Sequence, residues 1–220
     1  MAEEAAGNSA IGITDHELAA LVDMNTTPQG RRVLEAIGID GLLGEPTALR
    51  AGYATLLVRE IAGLDDKGIV ADGFGAAVST MVSTAGDILR VVLSRDAEVF
   101  GRSVMVDAEV GAFLLDMTSY GVHAAQPLRR DADLVDLVAD VIASMASDDG
   151  PGLPLSVEVT RFPVGSDARE ARLTVEDAET WHLAGADAAP RAETWERASD
   201  ALGLSDREVA RQPRRARPSE

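Results

Sequence analysis

Cysteine is absent from this 220-residue chain, so neither a disulfide framework nor thiolate chemistry is open to it. Lysine is almost absent as well: Lys67 is the single one, and every other basic residue is arginine. Aromatic residues make up 4% of the chain, so a core has to be built from aliphatic side chains and alanine. No apolar run approaches the roughly 18–20 residues that a membrane-crossing helix needs. The first ten residues lack a basic segment leading into an apolar one, so they do not read as a secretory signal. A soluble, cytoplasmic protein is the resulting expectation. Positive charge is scarce too: 20 Lys and Arg face 37 Asp and Glu, a formal net charge of -17. Such a surface repels nucleic acid and anionic membranes, and neither is expected as a partner.

The motifs of common chemistries are missing. There is no GxSxG elbow and no GxxxxGK[ST] phosphate loop. Gly73-Phe-Gly75 opens a helix without a preceding strand and lacks the third glycine of a dinucleotide fingerprint. The segment from Asp65 to Gly73 evokes a calcium loop, but it lacks ligands at the third and fifth positions and the closing glutamate. The three histidines, His16, His123 and His182, stand far apart and form no HxxxH or HExxH pair. Asp133, Asp136 and Asp140 share one helix face, which a solvated surface explains more simply than a cation site. The sequence implies no cofactor and no metal.

What is present is a centre. From Asp87 to Gln126 run four short apolar stretches rich in Val, Leu and Ile, each closed by Gly, Asp or Ser. That pattern predicts an antiparallel meander. Leu89, Val91 and Leu93, then Val104 and Val106, then Phe113, Leu115 and Met117 alternate with polar residues. Arg90, Ser94, Arg102, Asp107, Asp116 and His123 fall on the other parity and predict a wetter side. Leu155, Val157 and Val159, then Ala171, Leu173 and Val175, predict two more strands, with Gly165 to Asp167 in the turn.

Helices flank this sheet. Thr14-Asp-His-Glu17 is a capping box before Leu18, and Thr27-Pro28 starts a second helix that Gly38 ends. Leu49, Tyr53, Leu56, Leu57 and Ile61 make one helical stripe between Thr47 and about Ala62. Asp72 caps a fourth helix, and Asp131 opens a fifth with Leu134, Leu137, Val138, Val141, Ile142 and Met145 on one side. Near the end, Ala178-Glu-Thr-Trp181 recurs as Ala192-Glu-Thr-Trp195, with Pro190 between the copies. A strand end or loop is expected at Trp181 and a helix from Pro190 to about Leu202.

The expected fold is therefore α+β: an antiparallel sheet of five to six strands with helices packed on it. Residues 1–12 are expected to be disordered, and 13–205 to form a single domain with a candidate sub-boundary at 147–154. Residues 206–220 are expected to be a short helix and a basic Arg/Pro tail. From Arg207 to Glu220 the chain carries five Arg and two Glu, a net +3, which leaves the rest near -20. Reading residues 14–94 as a winged helix fails on chemistry, since the helix after Asp72 carries no Arg or Lys.

The stretch Leu57-Val-Arg-Glu-Ile-Ala-Gly-Leu-Asp-Asp-Lys-Gly68, with Ile88-Leu-Arg-Val-Val-Leu93, Gly101-Arg102, Pro127-Leu128 and Asp133-Leu-Val-Asp-Leu-Val138, carries a family likeness. It resembles one half of the EspG-like, ESX (type VII) secretion-associated chaperones of actinobacteria. The resemblance implies an α+β protein that binds helical substrate pairs in the cytosol and keeps them soluble until export. It covers about residues 49–145, and the chain is shorter than the usual two-half arrangement. A non-catalytic, protein-binding chaperone or adaptor is the expectation, with Trp181 and Trp195 as candidate partner-binding anchors. The alternatives are a small-molecule-binding or hydrolytic enzyme using His123 with Asp107, Glu109 or Asp116, and a homo-oligomeric structural component.

Overall fold

The computed structural model describes residues 10–128, 134–145, 153–177, 179–187 and 189–204. In chain order the elements are β1 (Ile11–Thr14), α1 (Asp15–Met24), α2 (Pro28–Ile37), a short 3-10 turn (Asp40–Gly44) and α3 (Pro46–Val58). A hairpin of β2 (Ala62–Asp65) and β3 (Gly68–Ala71) precedes α4 (Gly73–Ser83). The meander comes next as β4 (Ala85–Arg95), β5 (Glu98–Ala108), β6 (Gly111–Asp116) and β7 (Val122–Leu128). Then come α5 (Leu134–Met145), β8 (Leu155–Arg161), β9 (Arg169–Val175), β10 (Thr180–Leu183), β11 (Ala189–Pro190) and α6 (Arg191–Leu202).

The fold is α+β, as the sequence predicts, but its sheet is larger. Among the described residues, nine strands pair antiparallel in the order β1-β7-β6-β5-β4-β8-β9-β10-β11. The strands missing from the expected five to six are short and lie toward the edges. β1 includes Ile11 and Gly12, which the sequence reading leaves disordered; it pairs with β7 through Ile13↔His123. β10 forms at Trp181, where only a strand end or loop is expected, and pairs Trp181 with Val175. The turn before it is held by Asp177, whose Oδ1 accepts the N–H of Glu179 at 2.8 Å and of Thr180 at 2.7 Å. Those two donors hold its carboxyl below the ordinary carboxylate range. The expected short helix and basic tail of residues 206–220 and most of the candidate sub-boundary at 147–154 lie outside the described residues.

Helix starts agree closely with the caps. Thr14 and Glu17 complete the capping box, with Glu17 N–H to Thr14 Oγ1 at 3.1 Å and Thr14 N–H to Glu17 Oε2 at 2.8 Å. Glu17 is fully buried, and Arg59 holds its charge at 2.9 and 2.7 Å. The same guanidinium donates to the Gly12 carbonyl at 2.7 Å, tying the end of α3 to the edge strand. Gly52 lets α3 approach α1: a Cβ there would stand 2.0 Å from the His16 carbonyl oxygen. The Tyr53 hydroxyl donates to Asp23 across the same pair of helices at 2.5 Å. Burial, then that bond and the Asp23 charge, push the phenol up from its usual range, so it stays a donor at neutral pH.

The buried side of the sheet changes along its width. On the first face, Ile13, Ile88, Val104, Val106, Phe113, Leu115 and Ala125 join residues of α1, α2 and α4 in one core cluster. On the second face, Leu89, Val91, Leu93, Met105, Val157, Val159, Leu173 and Trp181 join residues of α5 and α6 in another. The register makes the division explicit. Leu89 stands opposite Met105 but Arg90 stands opposite Val104, so the two alternating rows of β4 and β5 belong to different cores. At the centre both faces are covered: Ile88, Leu89, Val104, Met105 and Val106 are all buried. Alternation predicts one wetter side; the structure shows two offset cores on opposite faces, so each side is buried over part of its width.

Candidate functional site

Among the described residues, two offset cores leave part of each face without a helix. Along the first face, α1 to α4 end near Ile88 and Phe162. Beyond that line, Val92 pairs with Glu158 and Ser94 with Ser156, while Glu158 pairs with Arg172 and Ser156 with Thr174. These residues share the first face, and among the described residues no helix packs on them. Arg90 and Arg172 approach Glu158 at 3.4 and 3.6 Å, and Arg172 also pairs with Glu170 at 2.6 Å, so a charged lattice covers the strands. At the inner boundary the Phe162 ring lies between the guanidiniums of Arg32 and Arg90, 5.4 and 5.1 Å from its centroid.

Two open grooves adjoin on this surface. One, of about 430 Å³, is bounded by Val92, Ser94, Val99, Ser156, Glu158 and Arg172. The other, of about 470 Å³, is bounded by Val99, Phe100, Arg102, Met117, Thr118 and Ser119. Val99 belongs to both. The β4–β5 hairpin builds the ridge between them. Arg95 pairs with Glu98 across Asp96 and Ala97, and the register then slips so that Leu93 faces Gly101 while Ser94 faces Val99. Phe100 is the extra residue of this bulge, which turns its ring out of the regular alternation. Val99 and Phe100 stay 49% and 40% exposed, and Tyr120, in the adjoining loop, 90%. Single exposed apolar side chains are commonplace, but these stand on the walls of grooves or next to them.

The residues proposed from sequence for chemistry do not converge. His123 lies on the first face, where it is buried; Asp116 and Asp107 lie on the second. Asp116 accepts from the Ser103 hydroxyl at 2.7 Å. Asp107 stands four residues along β5 from Ser103, about 13 Å away at strand rise. Glu109 is exposed in the β5–β6 turn. The partner of His123 is one the sequence reading does not name: Nε2 lies 2.6 Å from Asp15 Oδ1, while Nδ1 accepts the Thr118 N–H at 3.3 Å. Because Nδ1 is an acceptor, the proton of the neutral ring sits on Nε2 and is donated to Asp15. Buried and saturated, this ring ties the start of α1 to β7. The expectation of a wet-side His123 is thereby corrected.

Trp181 and Trp195 are corrected likewise as exposed anchors. They are 0% and 8% exposed and meet edge to face, ring centroids 6.4 Å apart, inside the second core. Arg191 stacks 5.4 Å from the Trp181 centroid and pairs with Asp140 of α5 at 3.0 Å. The repeated Ala-Glu-Thr-Trp thus places one tryptophan on a strand and the other on the helix above it. His182 and Glu176 lie within 3.1 Å of each other at the margin of the sheet. The calcium-like segment is the β2–β3 hairpin, where Asp65 Oδ1 caps the turn by accepting from Lys67 and Gly68 at 2.7 and 3.0 Å. Among the described residues no group of three or more His, Asp or Glu gathers as a metal set, and no helix is long and apolar enough to cross a membrane.

Val99, Phe100 and Tyr120 are the surface residues that sequence reasoning missed. The signal lies in Asp96-Ala-Glu-Val-Phe-Gly101: two adjacent bulky apolar residues directly after a tight turn break the alternation of a half-buried strand. No protein-family model matches the chain, and no curated protein matches it either.

Proposed function

We propose that this chain is a non-catalytic protein-binding adaptor or chaperone that holds its partner on the helix-free part of the first sheet face. The observation that carries this reading is the pair of open grooves meeting at Val99, with Phe100 and Tyr120 exposed beside them. Together they span β6, β5, β4, β8 and β9, four inter-strand spacings or about 19 Å. That width suits a helix of the partner laid across the strands, anchored by aromatic and aliphatic side chains and rimmed by charge. The resemblance of residues 49–145 to EspG-like chaperones points the same way, and within this proposal the partner is a helical type VII secretion substrate met in the cytosol.

The test is site-specific photo-crosslinking in the source cell. A photoreactive residue replaces Phe100 in one variant and Val58, exposed on α3 and outside both grooves, in another. A discrete adduct of one helical protein from position 100 and none from position 58 is the expected result. Equal labelling from both positions, or none, overturns the reading; an adduct with the chain itself assigns the surface to self-association instead.

A further inference from the structure

Resting on that reading, the groove between Val99 and Ser119 also specifies the chemistry of what it holds. Its lining is apolar at Val99, Phe100 and Met117 and polar at Thr118 and Ser119, and among the described residues its one charged side chain is Arg102. Arg102 is exposed on the first face, opposite Val92. None of the ion pairs among the described residues uses it. Of the twelve arginines among the described residues, eight meet a carboxylate; Arg102 does not, and it lines the groove. Arg59, Arg161, Arg172, Arg191 and Arg197 are among the eight, at the surface or in the interior.

We propose that the docked segment is acidic and apolar: an amphipathic helix whose apolar stripe lies on Val99, Phe100 and Met117 and whose carboxylate is taken by Arg102. A guanidinium offers a planar fork that matches a carboxylate with two parallel N–H donors. Net charge argues for the opposite partner, since a body at -17 attracts basic peptides and repels acidic ones. The two effects differ in range. At about 0.15 M salt the Debye length is about 8 Å, so body-wide repulsion is damped while a contact pair in the groove survives.

The probes are two synthetic helices sharing one leucine and phenylalanine stripe, one flanked by glutamate and the other by lysine. Each is titrated into the isotope-labelled full chain at about 0.15 M salt while backbone amide shifts are followed. The glutamate helix is expected to move the amides of 99–102 and 117–119 and to bind about tenfold tighter than the lysine helix. Arg102→Glu, an exposed substitution that leaves the fold alone, is expected to reverse that preference. Phe100→Ser is expected to weaken both helices. Preference for the lysine helix at the groove, or indifference to Arg102→Glu, overturns the acidic assignment while leaving a protein-binding groove. Failure of both helices to shift the groove amides also overturns it, and crosslinking at position 100 then decides the broader reading independently.

Discussion

His123 is held by two bonds of different kinds, and a ring held this way serves the core rather than turnover. It donates to Asp15 and accepts from the Thr118 backbone, and it is 2% exposed. His123→Ala removes both bonds and opens a cavity at the junction of α1 and β7. We expect a loss of about 2–4 kcal/mol, read as a lower urea midpoint. An unchanged midpoint would show that the ring is not part of the core and would reopen a role for it in turnover. The sequence places His123 on a strand correctly but on the wrong side, because strict alternation assigns faces within one strand and says nothing of which face the next strand buries. Trp181 and Trp195 mislead for a related reason. Tryptophan is enriched at interfaces and in cores alike, and only the pairing of β10 with β9 decides between them here.

Elements with a local chemical signature are legible in the sequence; those fixed by pairing are not. The capping box at Thr14, Thr27-Pro28 with Gly38, and Asp72 place three helix starts to the residue. The end of α3 is missed, since Glu60 rather than a glycine takes the left-handed position at φ 58, and the helix stops four residues before the expected end. β1 and β10 are four residues each and owe their existence to neighbours distant in the chain. The β4–β5 turn is a similar compromise. Asp96 and Ala97 both adopt positive φ, 51 and 68, in a two-residue hairpin that favours Asn-Gly. The left-handed region costs an alanine about 1–2 kcal/mol, and glycine's freedom in the unfolded chain returns about half of that. Ala97→Gly should therefore stabilise by about 0.5–1 kcal/mol, or about 1–4 °C in thermal midpoint for a chain of this size. A lower midpoint would mean that Ala97 does not hold the turn this way.

At the scale of the molecule, offset cores and excess negative charge act against each other. Covering one face at each end buries both sides of β4 and β5 and leaves two half-faces for solvent or a partner, which no local pattern announces. Stability of that arrangement has to overcome self-repulsion from a net charge of -17. Opposing this, exposed ion pairs such as Arg197–Glu193 and Arg32–Glu35 contribute only about 0.2–1 kcal/mol each and fade with salt. The less exposed pairs, Arg161 with Asp87 and Arg59 with Glu17, are screened less, and each is backed by further hydrogen bonds. Repulsion spread over the whole acidic excess therefore outweighs what salt removes from a few surface pairs. Raising sodium chloride from about 0.01 to about 0.1 M shortens the Debye length from about 30 to about 10 Å, which reaches the spacing between neighbouring carboxylates. The thermal midpoint is expected to rise by several degrees over that interval and to level off once screening is complete. A falling midpoint would show that ion pairs, rather than the two aliphatic cores, carry the margin of stability.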